Sequence, residues 1–185
     1  MAEVLSDHYT ATVGGATIDD PRLKVDPGIA HAKVFYKRAT VTAPAAITTG
    51  DVLRFFPMKT GDRLHALYIS TPSFTGTGQP ASCGFYKTDL GAVVDADAVN
   101  AETAPLDDLT VAIDRVDMIG PDASQWNDER RGMQIFAVVD AILGTSVYDN
   151  DPQELWDVCL TMGTENGVTV GAEIVVEAYY TSAGS

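Results

Sequence analysis

Histidines and serines are the first side chains of this chain to weigh for catalysis or metal binding. The three histidines, His8, His31 and His65, lie far apart and lack the close spacing of a metalloprotease or zinc motif. His31 follows a turn, where we expect its ring to hydrogen-bond the local backbone, and His65 lies in a predicted strand. No serine occupies the Gly-x-Ser-x-Gly pattern of a nucleophile elbow. We therefore predict no catalytic residue, no metal site, no cofactor and no enzymatic activity.

The two cysteines, Cys83 and Cys159, are too few to form a disulfide framework in a chain of 185 residues. Each lies among apolar or small residues, and neither has a basic neighbour that would lower the pKa of its thiol. We predict two buried free thiols.

Carboxylates occur in close pairs, which is the arrangement that glycosidases use. Asp95 and Asp97, and then Asp107 and Asp108, follow one another in a region of small residues. We interpret residues 89–105 as an irregular surface excursion, so these pairs are predicted to be solvated. The run Asp149-Asn150-Asp151 has two interpretations: an oxygen-ligand site for calcium, or turn chemistry, since it lacks the Gly and terminal Glu of an EF-hand.

The charge balance restricts the partners of the chain. There are 26 acidic and 12 basic residues, a formal net charge of −14, which repels phosphate backbones. The acidity serves solubility or complements a basic partner surface. The longest apolar run, residues 135–139, is far shorter than the roughly 20 residues needed to span a bilayer. We predict no nucleic-acid partner and no membrane partner.

The elements that must position these side chains are predominantly strands. The turn Asp26-Pro27-Gly28 precedes an alternating segment up to Ala43, with one slip near Arg38 that predicts a bulge. Further strands are predicted at 52–58, 64–71, 81–87, 109–118, 155–162 and 168–181. Pro57 places its strand at a sheet edge or strand end, because proline cannot donate to a ladder.

Two local patterns supplement the strands. Residues 131–143 have apolar side chains at helical spacing before Gly144, which favours a helix with Asp128 and Glu129 near its start; a buried strand through 134–139 is the alternative. Asn166-Gly167 between two apolar runs predicts a hairpin. The whole indicates an all-β protein, an antiparallel β-sandwich that is jelly-roll-like, with one helix and an extended N-terminal arm. We assign residues 1–23 to the arm and 24–185 to a single domain.

Three segments carry a family resemblance. The first runs from Lys24-Val25-Asp26 through the Pro27-Gly28 turn to His31, Lys33 and Val34. The second is Gly50 to Phe56 with a lysine-containing turn and Arg63-Leu64, and the third is Leu143-Gly144, an Asp/Pro turn and the final Tyr179-Tyr180. Together they resemble the head decoration proteins of tailed bacteriophages, which are small, acidic, β-rich cement proteins of the virion.

This resemblance implies a structural protein that binds the outer surface of the capsid and stabilises contacts between capsomers. Its implied partners are the major capsid protein and other copies of itself in a homotrimer. The implied interface residues are those of the first segment: Lys24, Asp26, Pro27, Gly28, His31 and Lys33. A carbohydrate-binding module of a tail or receptor-binding structure is the alternative, and a small hydrolase is a third hypothesis.

Overall fold

Eight strands and one α-helix make up the described part of the chain. The computed structural model describes residues 34–43, 49–74, 80–88, 91–102, 104–119, 126–144, 151–163 and 171–182. The predicted arm, residues 1–23, and the turn at 26–28 lie outside these ranges. The elements are β1 (Val34–Thr42), β2 (Val52–Lys59), β3 (Arg63–Thr71), β4 (Ala81–Lys87), β5 (Val93–Ala101), β6 (Ile113–Asp117), α1 (Ile135–Leu143), β7 (Leu155–Met162) and β8 (Glu173–Thr181).

The strands form two four-stranded sheets with the connectivity of a jelly roll. Sheet 1 has the order β1-β8-β3-β6 and sheet 2 the order β2-β7-β4-β5. All pairs for which a register is defined are antiparallel. Successive strands from β1 to β4 alternate between the sheets, as two interleaved Greek keys require. The predicted antiparallel, jelly-roll-like sandwich is confirmed.

Side-chain alternation explains how the sheets face each other. In β8 the residues Ile174, Val176, Ala178 and Tyr180 are buried, and the residues between them are exposed or half-buried. This period of two directs one face to the core and the other to solvent. β1 pairs with β8 without interruption from Val34 to Thr42, so the bulge predicted near Arg38 is wrong.

Large buried side chains fill the space between the sheets. The ring of Phe85 lies 6.1 Å from that of Trp126 and 6.2 Å from that of Trp156, and all three residues are fully buried. Met58 and Leu64 add apolar volume from the other strands. Burial of this kind contributes about 25 cal/mol per Å² of apolar surface. Because close-packed protein interiors deform little, the core makes the sandwich a rigid platform for its outer faces.

Pro57 lies in an edge strand of sheet 2, as the sequence predicts. β2 lies at that edge, and Pro57 within it pairs opposite Asp157 of β7. The register between the two strands shifts between Arg54 and Phe56, which is a bulge. Since an edge strand can tolerate a residue without an N–H, the prediction from Pro57 is confirmed.

The segment before Gly144 forms a helix, and the alternative of a buried strand through residues 134–139 is wrong. α1 is helical from Ile135 to Leu143, and its last turn closes where the Gly144 N–H donates to the Asp140 carbonyl at 3.0 Å. Gly144 has φ of +64°, the left-handed conformation that glycine adopts readily. The predicted start is wrong, because residues 128–130 form a separate 3₁₀ turn and Gln134 is the N-cap.

Two predictions about connections are wrong. Residues 93–101, interpreted as part of a surface loop, form the strand β5. The strands flanking Asn166-Gly167 belong to different sheets, so they do not pair as a hairpin, although residues 164–170 themselves lie outside the described ranges. Among the described residues, no helix is long and apolar enough to cross a membrane.

Candidate interaction surface

The interface residues predicted from the sequence are Lys24, Asp26, Pro27, Gly28, His31 and Lys33, and all precede β1. They lie outside the described residues, so their role stays a prediction. The same holds for Asp149 and Asn150 of the calcium alternative. Asp151 is described, and its Oδ1 accepts a hydrogen bond from the Gln153 N–H at 2.9 Å. That contact is the turn chemistry that the second interpretation predicts.

The two cysteines, which could take part in nucleophilic chemistry, are held in inert settings. Cys83 and Cys159 are buried and free, as predicted, and burial raises the pKa of both thiols, that of Cys159 to about 12. His65 is half-buried, with its Nε2 3.2 Å from the Thr181 Oγ1. Its pKa is lowered by burial and then by Arg63, which keeps the imidazole neutral at pH 7.

The carboxylates of β5 do not form a solvated loop. Asp95 is buried, and burial together with the side-chain hydrogen bond to the Asp97 carboxyl raises the pKa of its carboxyl to about 6. The Asp97 N–H donates to the Asp95 Oδ1 at 3.3 Å, a contact that acts in the opposite direction and lowers this pKa. β5 lies so close to β4 that a Cβ on Gly84 would stand 2.1 Å from the Asp95 carbonyl oxygen. The prediction of a surface excursion failed because this close approach allows small residues to form a buried strand.

A shallow cavity borders this strand. It is lined by Ser82, Ala96, Asp97, Ala101 and Glu102. The lining has two carboxylates and one hydroxyl, with no histidine or basic group to activate that hydroxyl. Among the described residues, no group of three or more His, Cys, Asp or Glu side chains could hold a metal ion.

The outer face of sheet 1 carries the densest set of aromatic and charged contacts among the described residues. Strand register brings the side chains together: Tyr36 of β1 lies opposite Tyr179 of β8, and Arg38 lies opposite Glu177. Tyr68 of β3 lies on the other side of Glu177. We call the following set the tyrosine–arginine face: Tyr36, Arg38, Tyr68, Arg115, Glu177 and Tyr179.

Glu177 is the centre of the polar contacts on this face. One of its carboxylate oxygens accepts a hydrogen bond from the Tyr36 hydroxyl at 2.7 Å, and the other accepts one from the Arg115 Nε at 2.9 Å. The Arg38 Nε lies 3.6 Å away. The hydrogen bond from Tyr36 and then that from Arg115 lower the pKa of Glu177. These contacts therefore favour the ionised form of the carboxylate.

Arg115 contacts both Tyr68 of β3 and Tyr179 of β8. Its guanidinium lies 4.1 Å from the centre of the Tyr68 ring and 5.9 Å from that of Tyr179, within cation–π range. One guanidinium nitrogen also lies 3.2 Å from the Tyr179 hydroxyl. The Arg115 backbone has φ of +50°, and its N–H donates to the Ser70 Oγ at 3.0 Å. Residues other than glycine seldom adopt this conformation, so the contacts of the side chain and backbone hold a strained position.

The tyrosine and arginine side chains of this face are accessible to a partner. Tyr36 is 49% exposed, and the side chains of Arg38 and Arg115 are 54% and 48% exposed. Tyrosine and arginine are enriched at the energetic centres of protein interfaces. Because the contacts with Glu177 already fix these side chains, binding would cost little additional side-chain entropy. The arrangement can therefore serve as a preorganised docking surface.

Sequence reasoning identified the strands of this face but not the face itself. The alternation in β3 and β8 placed Tyr68 and Tyr179 on strands, which is the signal that was available. Nothing local indicates that Arg115 approaches Tyr179 across 64 residues.

No protein-family model matches this chain, and no curated protein is detectably similar to it in sequence. Two solved structures have a similar fold. A chain of the capsid of Ralstonia phage GP4 is 12% identical with a TM-score of 0.55, covering 83% of this chain and 86% of its own length. A chain of the cyanophage Pam1 capsid asymmetric unit is 10% identical with a TM-score of 0.47, covering 80% and 84%. At these identities the likeness to the GP4 chain is one of fold.

Proposed function

We propose that this chain is a structural protein of a phage virion that binds the outer capsid surface and stabilises contacts between capsomers. The observation that carries the proposal is the jelly-roll fold similar to a chain of the Ralstonia phage GP4 capsid over most of both chains. The sequence resemblance to decoration proteins supports the same role independently, because it rests on Lys24–Val34 and two other short segments rather than on the fold.

The proposed partners are the major capsid protein and further copies of this chain, as a homotrimer. We assign these contacts to two regions: the segment with Lys24 to Lys33, on the sequence resemblance alone, and the tyrosine–arginine face. The rigid core behind sheet 1 supports the role, since a clamp must transmit force without deforming. The role requires no chemistry, and we infer a non-enzymatic protein.

The test is binding to shells assembled without this chain from the major capsid protein of the phage that encodes it. We expect saturable binding of the purified protein and a higher temperature of shell opening when it is bound. Absence of binding to intact, expanded shells would overturn the proposal.

Variants assign the contact regions. Replacing Lys24, His31 and Lys33 with alanine, or Arg115 with alanine, is expected to weaken shell binding. Val93→Thr on β5 is the matched control, because Val93 is exposed but belongs to sheet 2. An equal loss with this control would show that the loss of binding is not specific to these two regions.

The carbohydrate-binding alternative is tested in the same preparation. The guanidinium of Arg115 covers the ring of Tyr68, whereas sugars stack on uncovered aromatic faces. We therefore expect no saturable glycan binding through the Tyr68 ring. A glycan that binds saturably and competes with no shell contact would favour the tail or receptor-binding module.

A further inference from the structure

No described residue hydrogen-bonds the hydroxyl of Ser82, although only 8% of this residue is exposed. Ser82 alternates along β4 with Cys83 and Phe85, whose side chains lie in the core, so its own side chain faces the outer side of sheet 2. On the neighbouring strand β7, the Thr161 hydroxyl does have a partner, the Tyr86 hydroxyl at 2.9 Å. Because buried polar groups are normally hydrogen-bonded, the state of Ser82 indicates a place for a ligand.

The hydroxyl belongs to a cavity with an acidic lining. Ser82 lines the shallow space beside β5, which has a volume of about 390 Å³, together with Ala96, Asp97, Ala101 and Glu102. We call this space the carboxylate cavity. Its side-chain polar groups are two carboxylates and one hydroxyl, all of which can accept hydrogen bonds. A ligand that matches this lining is therefore a positively charged donor.

The surroundings of the carboxylate cavity favour a cation further. The Asp95 carboxyl adjoins that of Asp97, and its pKa of about 6 leaves it mostly ionised at pH 7. The stretch from residue 88 to 114 holds seven acidic residues and no Lys, Arg or His. A cation bound at Asp97 would relieve the repulsion between these neighbouring carboxylates.

The number and arrangement of the acceptors favour a guanidinium over a metal ion or an ammonium. Calcium takes six to eight oxygen ligands, and among the described residues no group of three or more His, Cys, Asp or Glu side chains could hold a metal. A guanidinium carries five N–H donors in a planar fork, enough to reach both carboxylates and the hydroxyl together, whereas an ammonium is a compact point charge with three donors. The small side chains of Ala96 and Ala101 leave room for a flat group.

We propose that the carboxylate cavity binds the guanidinium of an arginine side chain presented by a partner protein. The carboxylates of Asp97 and Glu102 accept its charged N–H groups, and the Ser82 hydroxyl accepts another. Placing this arginine on the capsid shell rests on the proposed function, whereas binding of the guanidinium itself does not. A chain with a net charge of −14 then has a defined point of contact on a basic partner surface.

Titration with N-acetyl-arginine methylamide, followed by the backbone amide NMR signals of the protein, tests the site directly. We expect saturable shifts at Ser82, Asp97 and Glu102. Glu102→Gln is expected to raise the dissociation constant of this probe about tenfold, because it replaces a charge-assisted hydrogen bond with a neutral one, and Ser82→Ala about threefold. Asp107→Asn is the matched control, with the same change in charge at an exposed position outside the cavity, and should bind as the wild type does.

Two further probes separate recognition of the guanidinium from attraction by charge. N-acetyl-citrulline methylamide has a similar shape without the charge and should not bind. N-acetyl-lysine methylamide has the charge without the planar fork and should bind about threefold or more weakly than the arginine probe. Equal binding of the lysine and arginine probes, no saturable binding of the arginine probe, or equal losses in Glu102→Gln and Asp107→Asn would overturn the proposal.

Shell binding distinguishes this inference from the proposed function. Where both hold, Glu102→Gln lowers the affinity for shells and Asp107→Asn does not. Equal shell affinity of the wild type and Glu102→Gln would overturn the placement of the arginine on the shell. A wild type that binds the arginine probe and no shell would overturn the proposed function and leave the ligand of the carboxylate cavity unchanged.

Discussion

The hydroxyl of Tyr36 on β1 donates a hydrogen bond to the carboxylate of Glu177 on β8 at 2.7 Å, although 141 residues separate them in sequence. This contact exists because β1 and β8, near the two ends of the described chain, are neighbours in sheet 1. Glu177 also accepts a hydrogen bond from the Arg115 Nε, and this second contact orients Arg115 toward Tyr68 and Tyr179. The polar contacts of Tyr36, Arg38 and Arg115 on the tyrosine–arginine face thus converge on one carboxylate.

Glu177→Gln tests that dependence through pH. The neutral amide cannot pair with Arg115 and Arg38, so we expect a loss of about 0.5–1 kcal/mol of unfolding free energy at pH 7, discounted for exposure. The pKa of Glu177 is lowered from its ordinary 4.5. The stabilisation is therefore present above pH 4.5 and is lost as the pH falls through the folded-state pKa. Denaturant unfolding of both proteins from pH 7 to pH 3 should show the difference shrinking toward acid; a constant difference would contradict it.

Asp95 predicts the opposite dependence on pH. Its pKa is raised to about 6 from 3.8, so between these values the folded state binds more protons than the unfolded state. Stability then falls as the pH rises from about 4 to about 6, by roughly 1–3 kcal/mol. Asp95→Asn removes this slope and still accepts the hydrogen bond from the Asp97 N–H. Unfolding free energies across this pH range check it, and the same slope in both proteins would exclude Asp95 as the cause.

Gly84→Ala is expected to be strongly destabilising. Its Cβ would lie 2.1 Å from the Asp95 carbonyl oxygen and 2.4 Å from the Ala96 carbonyl carbon, and backbone atoms of a paired strand cannot move aside cheaply. We expect a loss of about 3 kcal/mol or more in unfolding free energy. Gly171→Ala is the control: no atom lies within 4 Å of its Cβ, and only its φ of +83° is unfavourable. That variant should lose about 1 kcal/mol, and equal losses would refute the close approach.

A feature of this fold could be predicted from the sequence where residues close together in the chain determine it. The strands and the helix end at Gly144 were predictable because side-chain alternation and a left-handed cap are local. β5 was missed because its burial depends on the close approach at Gly84, which only the paired strand reveals. The Asn166-Gly167 signal was misleading, since a local turn preference does not determine which sheet the next strand joins.

The candidate face was less predictable than the fold. Tyr36 and Tyr179 lie on strands that the pattern identified, but their contact requires the strand order of sheet 1. Arg115 has no local signal, because its role depends on a backbone conformation that its residue type does not favour.

Substitution of Arg115 separates backbone strain from the function of its side chain. Arg115→Gly and Arg115→Ala both remove the guanidinium from Tyr68 and Glu177, but only glycine adopts φ of +50° without penalty. We expect the glycine variant to be more stable than the alanine variant by about 1 kcal/mol. Both should lose shell binding to the same extent, because binding depends on the side chain. Chemical unfolding and shell-binding titrations measure the two effects, and shell affinity that follows stability instead of the guanidinium would remove Arg115 from the docking surface.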